Sequence, residues 1–134
     1  MLIHKLLVAL LVLTSVLLTG CMTRLPKDPE NLCAIFKEKP SWYRSIKRSE
    51  KRWNIQAPMI MSVLYRESSY RKRAKPPRTK LLGMVPWRRP SSAYGFAQAT
   101  NETWFDYRKA TGRRFADRDD FGDAVDFVGW YLDR

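Results

Sequence analysis

The chain has 134 residues, with 25 lysines and arginines against 13 acids, a formal charge of +12, two cysteines and one histidine. That length holds one domain at most. The inventory excludes cysteine-rich zinc frameworks, and no GxxxxGK or GxGxxG phosphate loop is present.

The opening stretch, "MLIHKLLVALLVLTSVLLTGC", starts with His4 and Lys5, continues as an apolar run from Leu6 to Leu18 and ends in small residues before Cys21. This is the layout of a secretory signal, too short to span a bilayer comfortably as a permanent helix. "LTGC", Leu18 to Cys21, resembles the lipobox of bacterial lipoproteins; the bland alternative is an ordinary signal with a chance cysteine. The resemblance implies that Cys21 carries diacylglycerol and becomes the mature N-terminus, with acyl chains as the membrane anchor. Met22 stands where an aspartate would resemble an inner-membrane retention signal. The expected place is therefore the outer membrane, facing the periplasm, in a cell that has one.

Removing residues 1–20 takes away one lysine and no acid, leaving about +11 on about 114 residues. A basic secreted protein meets anionic headgroups and cell-wall polymers rather than nucleic acid. It also loses His4, and with it every imidazole. Ser/His/Asp and Cys/His nucleophilic systems are then excluded, as are His-based zinc sites. Proton transfer is left to a carboxylate or a lysine, and cleavage of a glycosidic bond by a carboxyl group needs no metal and no cofactor. Cys33 has no intramolecular partner if Cys21 is acylated, so it is either a small buried or tethered thiol or part of an intermolecular disulfide.

Residues 21–40, with Pro26, Pro29 and Pro40, are expected to form a tether that becomes ordered as a short helix near Leu32 to Phe36. The domain proper is expected over residues 41–134. Ser41 is a candidate N-cap for a helix carrying Trp42, Ile46 and Trp53 on one face. A second helix starts near Pro58, well tolerated in a first turn, and runs through "APMIMSVLYRESSY" to Ser69. From Arg71 to Ser92 four prolines and a dense basic load predict an irregular loop, long enough to be functional or mobile. Thr100 or Asn101 can cap a helix that Gly112 ends. "DRDDFGDAVDFVGWYLDR" closes the chain as a helix with an acidic start and Phe121, Val125, Val128 and Leu132 along one side. No strand, repeat or low-complexity tract is evident, so the fold class is all-α.

Glu67 stands out within "YRESSYRKR". Residues three, four and seven before it are Leu64, Val63 and Ile60, so the carboxylate continues an apolar stripe. Arg66 is turned away by about 100°. Loss of water and the negative end of a helix dipole both favour a protonated carboxyl group, whereas Arg71, Lys72 and Arg73 would oppose this if they fold back. The other reading is an amphipathic glutamate paired with Arg71.

"VLYRESSY" resembles the catalytic segment of soluble lytic transglycosylases and goose-type lysozymes, in which an apolar helix delivers a glutamate followed by serine. "YGFAQAT", Tyr94 to Thr100, resembles their second motif, a Gly-x-x-Gln turn before the next helix. The two lie in the same order, about thirty residues apart, and the resemblance extends over roughly Ser41 to Arg134. It implies a lysozyme-like SLT domain of short helices acting on peptidoglycan glycan strands, with Glu67 as the catalytic acid/base. Ser68, Tyr94, Gly95, Phe96 and Gln98 are the implied substrate-binding residues. Ser68 has two readings, a hydrogen bond near developing charge or a cap on the helix end. Trp87, Trp104 and Tyr94 are candidates to stack on sugars, although Trp42, Trp53, Trp104 and Trp130 suit a core. The implied reaction breaks the bond between N-acetylmuramic acid and N-acetylglucosamine and closes a 1,6-anhydro ring.

Two features depart from that pattern. The connection over residues 71–92 is longer and more basic than those enzymes usually have. Their later motif, a tyrosine or asparagine with an Ala-Gly pair that closes the groove, has no counterpart after "GWYLDR", which implies either a chain cut short at Arg134 or an open groove. Two alternatives follow: a lysozyme-type hydrolase with Asp106 or Asp117 positioning water, and a non-catalytic lipoprotein that binds murein or envelope through its basic surface.

Overall fold

The computed structural model describes residues 24–134; the signal segment, Cys21 and Met22 lie outside the described residues. Among the described residues, five helices and one two-stranded ribbon follow in chain order, as the all-α expectation requires. Helix α1 (Leu32–Glu38) starts at Asn31, whose side chain accepts from Ala34 N at 3.0 Å. The segment expected as a tether packs from earlier than Leu32, because Pro26 and Ile35 are buried and Lys27 N donates to Glu38 Oε2 at 3.0 Å. Cys33 is exposed on α1, so the buried-thiol reading does not hold.

Helix α2 (Pro40–Trp53) begins with Pro40 in its first turn, where a missing N–H leaves nothing unpaired, so it starts before the Ser41 cap that the sequence suggests. It stops at Asn54, in a left-handed conformation with φ 57°. Helix α3 (Ala57–Ser68) likewise has its proline in the first turn and ends at Ser69. Ser69 and Tyr70 are both left-handed, with φ 51° and 59°. This pair bends the chain sharply away from the end of α3. Tyr70 then turns inward, 2% exposed, and its hydroxyl donates to Met61 O at 3.2 Å.

The basic connection contains a short antiparallel ribbon, β1 (Lys80–Leu81) and β2 (Val85–Pro86), with Leu81 opposite Val85. The sequence does not announce it, because two-residue strands have no periodicity and Pro86 argues against a strand except at an edge. Helix α4 (Asn101–Thr111) is capped by Thr100 and closed by Gly112 at φ 70°. Helix α5 (Phe121–Leu132) starts at Asp120, which accepts from Asp123 N at 3.0 Å and places negative charge at the positive end of the helix.

The core forms around α5. Eight of its twelve residues, Phe121 and Ala124–Trp130, are buried, so its middle is covered on all sides rather than on one. Helix α2 lies closest: a Cβ on Gly129 would come within 2.4 Å of Trp53 Cδ1 and 2.6 Å of Ser49 Oγ. Only glycine fits that crossing. Trp42 stacks on Phe121 with centroids 3.8 Å apart, and Phe96 meets both rings edge-on. Such pairs add about 0.5–1.5 kcal/mol beyond the area they bury. Trp42, Trp104 and Trp130 belong to this core, Trp53 packs against it, and Trp87 is half-exposed. Among the described residues no helix is long and apolar enough to cross a membrane.

Candidate functional site

Glu67 occupies the last turn of α3, directly after the stripe of Ile60, Val63 and Leu64. Ile60, Met61, Leu64 and Ser68 of this helix are buried, whereas Glu67 is exposed to solvent. The carboxylate continues the apolar stripe without being covered by it. It has no hydrogen bond or ion pair to another described residue. Arg71, the expected partner, instead donates from Nε to Ser68 O at 2.9 Å, after the left-handed pair at Ser69 and Tyr70 has redirected the chain.

The "YGFAQAT" segment forms a closed turn. Tyr94 and Ala99 pair in an isolated antiparallel bridge, with Tyr94 N donating to Ala99 O at 3.2 Å. Two residues between them adopt left-handed backbone, Gly95 at φ 82° and Gln98 at φ 48°. Gly95 is required on two counts. Besides its φ, a Cβ there would lie 2.0 Å from Arg118 O. Gly95 N donates to Ala74 O at 3.0 Å and Phe96 N to Arg118 O at 3.3 Å, so the turn is tied to the chain on both sides. Gln98 completes the tie: its Nε2 donates to Ala74 O at 2.8 Å and to Gly95 O at 2.9 Å.

Glu67 and Gln98 line one surface recess of about 410 Å³. Its walls are Val63 from α3, the Ala97–Thr100 backbone with Thr103, and Phe127, Val128, Tyr131 and Leu132 from α5. The lining is mostly apolar, with Glu67, Gln98, Thr100 and Thr103 as its polar residues beside the Tyr131 ring. Tyr131 is 55% exposed and stacks on Phe127 with centroids 5.9 Å apart. No other carboxylate lines the recess, since Asp106 and Asp117 are exposed elsewhere. No residue of the connection between Arg71 and Ser92 lines it either.

The remaining residues singled out by sequence stand apart from this recess. Ser68 is 1% exposed and its hydroxyl donates to Leu64 O at 3.1 Å, which is the helix-end reading rather than the substrate one. Phe96 is 1% exposed and belongs to the aromatic core. Tyr94 faces a different, cationic recess with Lys75 and Arg118. Its hydroxyl donates to Asp119 Oδ2 at 3.0 Å, and burial followed by that hydrogen bond pushes its pKa up. Gly95 shapes the turn without lining the recess. Val128, Tyr131 and Leu132 are wall residues that sequence reasoning missed as such; their i, i+3, i+4 spacing was the available signal, but a helix with apolar residues on several faces does not say which face meets a groove.

A family model described as transglycosylase SLT domain matches residues 9–134 of the chain. No curated protein and no solved structure matches it.

Proposed function

The chain belongs to the transglycosylase SLT domain family, whose activity is cleavage of murein, and from that premise we propose that it is a lytic transglycosylase working through Glu67 alone. The supporting observation is the recess itself, a largely apolar surface that Glu67 lines as the one carboxylate together with Gln98. In this reading protonated Glu67 donates to the glycosidic oxygen between N-acetylmuramic acid and N-acetylglucosamine as the bond to the anomeric carbon breaks. The resulting carboxylate takes the proton of the muramoyl C6 hydroxyl, whose oxygen bonds to the anomeric carbon. A 1,6-anhydro ring closes, Glu67 regains its proton, and no water is consumed.

The walls have a part in this chemistry. Val63, Phe127 and Leu132 would exclude water from a seated sugar, and Tyr131 offers a ring face at the rim. Gln98 has both donor hydrogens committed to Ala74 and Gly95, which leaves its Oε1 as an acceptor for an acetamido N–H. A hydrolytic variant of the reaction would call for a second carboxylate to position water, and neither Asp106 nor Asp117 lies on the recess. Anchoring of this domain to a membrane through acylated Cys21 remains part of the same proposal.

Product analysis tests it. Wild-type protein acting on purified sacculi should release muropeptides with 1,6-anhydro ends, and Glu67→Gln should slow release by about 10²–10⁴-fold. The same variant should unfold within about 0.5 kcal/mol of wild type, because an exposed glutamate without partners contributes little to stability. Reducing ends would assign a hydrolase instead, and intact sacculi with tight binding would assign a non-catalytic murein binder.

A further inference from the structure

The ribbon β1–β2 is unlike the rest of the surface. Every residue from Pro77 to Ser92 is exposed, and the tip is apolar: Leu82 is 87% exposed and Met84 81%, flanked by Leu81, Val85 and Trp87. An uncovered cluster of this kind is avoided on ordinary soluble surfaces. It is also well built. Thr79 N donates to Arg88 O at 2.8 Å, Trp87 N to Thr79 O at 2.7 Å, and Arg89 Nη1 to Pro76 O at 2.6 Å. These bonds hold the apolar residues out rather than letting them fold back.

The turn carries a second sign. Leu82 and Gly83 both have positive φ, 53° and 76°, and Met84 N donates to Leu81 O at 3.3 Å. Asparagine, aspartate or glycine suits the first of those places, whereas leucine is strained there. Local folding therefore works against a leucine at the most exposed point of the ribbon. Strain of this kind concentrates where a side chain has a task.

Charge selects the partner. From Arg71 to Asn101 the chain carries eight lysines and arginines and no acid. Of these, Arg73 alone forms an ion pair among the described residues, with Asp119. Arg78, Lys80, Arg88 and Arg89, all exposed, flank the tip along the two arms of the ribbon, and the Arg88 guanidinium lies 5.9 Å from the Trp87 ring centroid. An aliphatic tip, a tryptophan beside it and a collar of cations behind form the sequence of layers that an anionic bilayer presents in reverse: acyl chains, interface, phosphates. A glycan strand would instead call for a concave surface with convergent hydrogen-bonding groups, and the ribbon tip has none.

We propose that the β1–β2 ribbon docks on an anionic phospholipid surface, with Leu82 and Met84 entering the acyl boundary, Trp87 at the interface, and Arg78, Lys80, Arg88 and Arg89 against the headgroup phosphates. The proposal is independent of the role given to Glu67. Its test uses the protein reconstituted through acylated Cys21 into phosphatidylcholine vesicles with or without phosphatidylglycerol, so that attachment by the acyl anchor is common to both. The readout is local: quenching by lipids brominated near the headgroup, taken as the difference between wild type and Trp87→Phe, reports Trp87 alone.

Trp87 quenching is expected only in vesicles that contain phosphatidylglycerol, to fall with added salt, and to drop to the Trp87→Phe level in Leu82→Asp/Met84→Asp. The double variant should keep the wild-type thermal midpoint, since both residues lie outside the core. Arg78→Gln/Lys80→Gln provides a second variant and should weaken the salt dependence. A Trp87 equally accessible to water in both vesicle types overturns the proposal. So does a double variant that leaves the quenching intact, or one that loses binding to sacculi while Trp87 in the wild type never meets lipid.

Discussion

The side-chain amide of Gln98 donates to the carbonyl of Ala74 at 2.8 Å, joining the turn beside Glu67 to the first residues of the basic connection. The same nitrogen donates to Gly95 O at 2.9 Å, and the residue holds a left-handed φ of 48° to do so. Gln98→Ala should lose about 1–2 kcal/mol, because the Ala74 and Gly95 carbonyls each lose one of two donors and keep only the backbone N–H of Gly95 and of residue 98. Gln98→Glu should lose at least as much, since it turns oxygen towards both carbonyls. Thermal unfolding measures this: a domain of this size shifts by about 4–8 °C per kcal/mol. Wild-type stability in Gln98→Glu would show that the tie to Ala74 is dispensable.

Gly95→Ala is a harsher change at the same turn. Its Cβ would sit 2.0 Å from Arg118 O and 2.6 Å from Arg118 C, and the φ of 82° disfavours any L-side chain. Neither obstacle is a flexible side-chain end, so backbone has to move. The expected loss is about 3 kcal/mol or more. If a partly folded population survives, murein release should fall further than the folded fraction, because the displaced turn carries Gln98 away from Glu67. Equal losses of activity and folded fraction would argue that the turn serves the fold alone.

Asp126 is the polar centre of the molecule. It is 6% exposed and accepts from Arg52 Nη1 at 3.1 Å, Trp53 Nε1 at 2.9 Å, Tyr107 OH at 2.7 Å and Arg113 Nη1 at 3.3 Å, uniting α2, α4, α5 and the link before α5. Asp126→Asn keeps the shape but removes the charge and turns an NH₂ group towards donors. The cost should be about 2–4 kcal/mol, less than for a fully buried pair because Arg52 and Arg113 keep contact with water. Denaturant unfolding checks it, and Arg52→Gln should cost much less than Asp126→Asn.

That hub also shows where the sequence stops being informative. An aspartate inside "DAVDFVGWY" looks like the solvent side of a helix until α5 is found to be buried on every face. The helix ends were legible because their chemistry is local: Thr100, Asp120 and Gly112 cap by rules that need only neighbouring residues. Glu67 and Gln98 were legible as a pair through motif spacing. Glu67's exposure was not, because the left-handed turn at Ser69 and Tyr70 decides whether Arg71 folds over it, and neither residue type announces that conformation. Phe96 and Ser68 share the motifs yet point inward, since a motif fixes chain position and the packing of Trp42 and Phe121 fixes direction.

Tyr70 makes the stability of this fold sensitive to alkali. Burial, with a smaller contribution from Tyr65, raises its pKa from 10.0 to about 12. The folded state therefore keeps this proton where the unfolded chain has lost it. Stability from Tyr70 is complete below pH 10 and is lost as pH rises through the window from 10 to 12. The pKa of Tyr107 is raised further, by burial and then by its bond to Asp126, and adds to the same alkaline decline. Tyr70→Phe removes the hydroxyl that donates to Met61 O, which should cost about 0.5–1.5 kcal/mol at neutral pH. It also removes one titrating group, so its stability should fall less steeply above pH 10 and the gap to wild type should narrow there. Urea midpoints of both proteins, measured from neutral to strongly alkaline pH, test the linkage. A gap that stays constant across that window would mean that Tyr70 titrates alike in the folded and unfolded chain.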